Sequence, residues 1–65
     1  MRAFHILLDD DASDTPIRID FQADTPDNAL ILAQSHAGGR TVELWEGSNL
    51  VGSLNKAAPQ LWRLA

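Results

Sequence analysis

Residues 3 to 8 set Phe4, Ile6 and Leu8 against Ala3, His5 and Leu7, the period of two that marks a β-strand, and only the first of these faces is fully apolar. Residues 9 to 16 are a polar connector of Asp, Ser and Thr, whose side chains bond nearby backbone, and they predict a hairpin loop. Residues 17 to 23 alternate strictly. Ile17, Ile19, Phe21 and Ala23 oppose Arg18, Asp20 and Gln22, which predicts a half-buried strand.

Thr25-Pro26 supplies an N-cap hydroxyl followed by proline at the first helical position, and Asp24 and Asp27 suit the positive end of a helix dipole. A helix of about three turns is expected from there to Gly38-Gly39, a pair that favours a left-handed stop. At about 100° per residue, Ala29, Leu30, Ala33 and Ala37 share one face, and Leu32 and His36 flank it. Asp27, Ile31, Gln34 and Ser35 point away. The small residues allow the helix to lie close to a sheet.

Residues 40 to 46 and 49 to 55 predict a third and a fourth strand joined by a two-residue Gly47-Ser48 turn. A regular register from that turn places Trp45 opposite Leu50, Leu44 opposite Val51 and Val42 opposite Ser53. Val42, Leu44 and Val51 then face the helix, and Trp45, Leu50 and Leu54 face the other way.

The order ββαββ predicts an α+β domain over residues 1–55: a four-stranded, mainly antiparallel sheet with one helix packed on one face. Residues 56–65 form an apolar C-terminal tail. One short helix leaves Leu7, Trp45, Leu50 and Leu54 on an uncovered face, more apolar area than a monomer ordinarily leaves wet. One cover is the tail, with Leu61 and Trp62 and a helical turn expected from Pro59, packed on its own domain or on a partner subunit. Pairing with a second copy to give a homodimer is another, and an unidentified protein partner a third. Leu7, Trp45, Leu50, Leu54, Leu61 and Trp62 are therefore the candidate binding or self-association residues.

Composition narrows the function classes. A chain of 65 residues buries only about 60% of its unfolded surface, so the core is small. Its net charge is -4, and Arg2, Arg18, Arg40, Lys56 and Arg63 never cluster in sequence, which argues against nucleic acid as a partner. Without cysteine there is no disulfide framework, thiolate nucleophile or sulfur-ligated metal, and no cofactor is expected. No stretch approaches the roughly 20 apolar residues of a membrane span, so no membrane association is expected. The apolar start runs straight into Asp9-Asp10-Asp11 without a secretory cleavage pattern, and the expected compartment is the cytoplasm.

Asp9, Asp10, Asp11 and Asp14 invite a weak calcium or magnesium site, since hard cations take carboxylate oxygens. The EF-hand template fails there, because the sixth position from Asp9 is Asp14, where glycine is required. A solvated, self-repelling loop is the plainer account. His36 suits the negative end of the helix dipole, and His5 reads as a half-buried, hydrogen-bonded imidazole. Ser35 and His36 diverge on the helix surface and make no dyad. With no nucleophile elbow, phosphate loop or dinucleotide fingerprint, the chain is not expected to be an enzyme.

Ala29, Ala33, Gly39-Arg40, Glu43-Leu44-Trp45, Gly47 and Leu50-Val51 form a pattern within Asp24 to Leu54. That stretch resembles a group of small proteobacterial proteins of unknown function, with an alanine-rich helix, a Gly-Arg step and an ELW-x-G-x-x-L-V hairpin. The resemblance implies a compact ββαββ unit and no catalytic residue. Three functions follow as expectations: a non-catalytic protein-interaction or self-associating module, a regulatory or accessory protein of the antitoxin kind, and a weak divalent-metal binder through the first loop.

Overall fold

The computed structural model describes residues 1–9, 15–58 and 61–65. The chain runs β1 (Arg2–Leu8), β2 (Ile17–Ala23), α1 (Pro26–Ala37), β3 (Val42–Glu46), β4 (Asn49–Leu54) and β5 (Trp62–Leu64). The strands form one sheet in the order β2-β1-β3-β4-β5, and every neighbouring pair is antiparallel. Both β2 and β3 flank β1, so they run parallel to each other, and α1 carries the chain across β1 between them. The α+β class is the expected one. The sheet, however, has five strands among the described residues where four were expected.

Thr25 caps α1 as its sequence indicates: its backbone is extended, and its Oγ1 accepts from the Asn28 N–H at 3.2 Å. Gly38 and Gly39 take φ of 58° and 77°, and the Arg40 N–H donates to the Ala37 carbonyl at 3.1 Å. Arg40 therefore belongs to the helix stop, and β3 begins at Val42 rather than at residue 40. Ala29, Ala33 and Ala37 are the buried residues of α1. They pack on Phe4, Ile6, Leu8, Val42, Leu44 and Leu54, in a core that holds no buried polar side chain among the described residues.

The β3–β4 hairpin turns at Gly47, whose φ is 60°, with Ser48 at negative φ, the pattern of a type II′ turn. Glu46 pairs with Asn49 and Trp45 with Leu50, but Leu44 pairs with Gly52 and Val42 with Leu54. Val51 is the extra residue of a β-bulge. That single insertion reverses the faces of the rest of β4. Leu54, expected on the uncovered face, is fully buried in the core, and Gly52 takes the place opposite Leu44.

The tail is a strand rather than a cover for the second face. Asn55 starts the reversal: its Oδ1 accepts from the Ala57 N–H at 2.8 Å and its carbonyl from the Ala58 N–H at 2.9 Å, an Asx turn. The helical turn expected at Pro59 lies outside the described residues. β5 then pairs with β4, Leu54 opposite Trp62 and Gly52 opposite Leu64. Trp62 lies on the helix side, packed against the core, and its Nε1 donates to Gln34 Oε1 of α1 at 3.4 Å. Leu61 stays exposed.

Gly52 permits this arrangement. A Cβ there would sit 3.0 Å from the Arg63 carbonyl oxygen and 3.2 Å from Leu64 Cδ2. Gly52→Ala is expected to destabilise the fold by roughly 1–3 kcal/mol and to strip hydrogen-exchange protection from β5. A wild-type urea midpoint with protected Trp62–Leu64 amides would contradict so close an approach of β5 to β4.

Candidate interaction surface

Because α1 lies on one side, the odd-numbered residues of β1 and β3 and the even-numbered residues of β2 point to the other. Register aligns them into two rows across the strands. One row is Asp20, His5, Trp45 and Leu50, and the other is Arg18, Leu7, Glu43, Ser53 and Arg63. His5 and Trp45 stack with ring centroids 6.3 Å apart and planes 3° from parallel. His5, Leu7 and Trp45 are half-buried and Leu50 is exposed. They form an apolar stripe at the middle of the face, with charge on either side. No described helix or strand packs over it.

Of the six candidate residues, this face brings together Leu7, Trp45 and Leu50. Leu54 and Trp62 lie on the helix side and Leu61 lies beside the last turn, so these three do not join it. Asp9 is exposed at the end of β1, where its N–H donates to the Thr41 carbonyl at 2.9 Å. Asp10, Asp11 and Asp14 lie outside the described residues, which contain no group of three or more side chains arranged to hold a metal. A shallow cleft of about 260 Å³ lined by Leu7, Asp9, Pro16, Thr41 and Glu43 opens at one end of the face. No helix among the described residues is long and apolar enough to cross a membrane.

The Trp45 indole N–H is buried and has no acceptor among the described residues. The ring stacks on His5 and pairs with Leu50. On β2, Arg18 Nη2 donates to Asp20 Oδ1 at 3.0 Å. That bond, with the charge of Arg18, holds the Asp20 carboxyl below its usual range. Sequence reasoning assigned the face an additional leucine and underweighted its polar border. The strict alternation of β2 already placed Arg18 and Asp20 on one side of that strand. A glycine inside β4 was the signal available for the bulge.

Arg2 and Glu46 clamp the ends of β1 and β3 with a bidentate pair, both contacts 2.6 Å, and the Arg2 guanidinium lies 5.7 Å from the centre of the Phe4 ring. The hydrogen bond from Arg2 holds the Glu46 carboxyl below its ordinary value of 4.5. A carboxyl lowered on folding stabilises above its unfolded pKa and loses that contribution as pH falls through the folded one. Glu46→Gln is therefore expected to lessen the fall in melting temperature as pH drops below the ordinary carboxyl value of 4.5, measured by thermal denaturation against the wild type. An equally steep acid decline in both proteins would show that the clamp contributes nothing.

No family model, curated protein or solved structure matches the chain. Nothing in these comparisons bears on the expected resemblance to small proteobacterial proteins; of its motif residues, Ala29 and Ala33 line the core, Trp45 and Leu50 lie on the uncovered face and Gly47 makes the turn.

Proposed function

We propose that this protein is a non-catalytic interaction module of the cytoplasm that docks a partner protein through the uncovered face of its sheet. The observation that carries the reading is the stripe of His5, Leu7, Trp45 and Leu50 on a face that no described element covers. At a strand spacing of about 4.8 Å, the row from Asp20 to Leu50 crosses roughly 14 Å of sheet. An α-helix is about 10 Å wide, so the stripe has room for one amphipathic helix from outside, opposite α1. Arg18, Asp20, Glu43 and Arg63 border it, and the chain as a whole carries a net charge of -4, which favours a basic partner. An accessory protein of the antitoxin kind is one form such a module takes.

Leu50→Asp places a charge on the stripe at an exposed position without touching the core. In an extract of the producing organism, the immobilised wild-type chain is expected to retain a basic protein. The variant should retain at least about tenfold less while keeping the wild-type circular dichroism spectrum. Equal retention by the two chains, or by neither, counts against the reading.

A further inference from the structure

The two edges of the sheet are not alike. β5 is three residues long, whereas β2 presents seven, Ile17–Ala23, with a neighbour on one side only among the described residues. Its register against β1 runs from Leu8↔Ile17 to Arg2↔Ala23 without a bulge, and no proline interrupts it. Shortness, bulges and internal prolines are usual means of keeping an edge strand from pairing, and β2 has none of them. Its charged residues are Arg18 and Asp20, opposite in sign and two positions apart, on the side away from α1.

That spacing is self-complementary. We infer that β2 pairs antiparallel with β2 of a second copy about a two-fold axis at Ile19, so that Arg18 of each copy faces Asp20 of the other. An axis at Asp20 or at Arg18 would instead set like charges directly opposite, which is destabilising. The Ile19 axis also matches the helix side of the edge, where it puts Ile17 opposite Phe21 in both directions and Ile19 opposite itself. Ile17 is 40% exposed there, although Ile19 and Phe21 pack against the core.

The helix flank over the same edge carries further exposed apolar surface. Leu32 and Ile31 are 41% and 67% exposed, and they line a cleft of about 260 Å³ with Gln22 and Ala23 of β2. Pairing through β2 sets the two helices side by side above a continuous sheet, with these side chains between them. An isologous contact of this kind closes on itself as a dimer. It leaves both open faces on the same side of the joined sheet. The dimer uses neither Trp45 nor Leu50 and leaves the apolar stripe open.

Charge exchange tests the pairing. Mass in solution, from sedimentation across a concentration series, is compared for wild type, R18D, D20R and an equimolar mixture of the two variants, with circular dichroism confirming folding. The wild type is expected to dimerise. Each variant alone should associate at least about tenfold more weakly, because like charges then meet across the axis. The mixture should recover a heterodimer, since R18D offers two carboxylates to two guanidiniums of D20R. L50D should dimerise as the wild type does, which separates this edge from the open face. A monomeric wild type, undiminished association of the single variants, failure of the mixture to recover, or loss of the dimer in L50D would each overturn the inference. Amide exchange on the wild type gives a second reading: outer β2 amides should gain protection as concentration rises, and concentration-independent exchange would likewise overturn it.

Discussion

One helix of twelve residues has to cover a sheet of five strands. Across four spacings of about 4.8 Å the sheet is roughly 19 Å wide, nearly twice the width of a helix. Every other feature of the fold answers that mismatch. The buried stripe of Ala29, Ala33 and Ala37 lets α1 sit close, so that Phe4, Ile6 and Leu44 reach up and fill the volume from the sheet. Its contacts fall on β1, β2 and β3. The helix side of β4 and β5 is closed instead by Leu54 and Trp62, the latter tied to α1 through Gln34. The tail is therefore a wall of the single core, and its indole takes the place of a second helix.

The bulge at Val51 makes that wall possible. With a regular ladder Leu54 would turn away from α1 and Ser53 would stand beside Val42, leaving a polar side chain at the edge of the core. The extra residue sends Leu54 inward and leaves Gly52 where β5 makes its closest approach. A bulge is a property of pairing between strands, with no signature in the period of either one, so the pattern of β4 alone reads equally well in both registers. Locally coded features were legible by contrast: the cap at Thr25, the glycine stop, the Gly47-Ser48 turn and the alternations of β1 and β2 all depend on neighbours in sequence. The three-residue β5 was not, because Trp62-Arg63-Leu64 becomes a strand only when β4 offers it an edge.

The candidate surface was legible to the same depth. Leu7, Trp45 and Leu50 share a face because they precede the bulge or lie outside its reach, whereas Leu54 follows it and Trp62 belongs to a strand that sequence pattern does not announce. The uncovered face is consequently narrower and more polar than a count of leucines suggests. Arg18, Asp20, Glu43 and Arg63 border it, and the apolar part is confined to the two central columns and Leu50. Such a stripe, apolar at the centre and charged at the rim, has the layout of a docking site, in which desolvated anchors supply affinity and the border supplies selection.

Chain size links this face to the open edge. A 65-residue domain without cysteine has little stability to spare, and two groups of its apolar residues outside the core bear on association. Leu7, Trp45 and Leu50 lie on the open face, while Ile17, Ile31 and Leu32 gather at the β2 side of the helix layer. The second group adjoins an edge whose charges are complementary to themselves, which suits association between identical chains. The first is bordered by Arg18 and Arg63 as well as by Asp20 and Glu43, a rim of both signs. The two surfaces thus differ in kind: the contact proposed for the edge rests on charges complementary to themselves, and the docking proposed for the face rests on its apolar stripe. Joining copies through β2 would place two such faces side by side, and a partner with two apolar helices would then gain from the raised effective concentration of the second site once the first is filled.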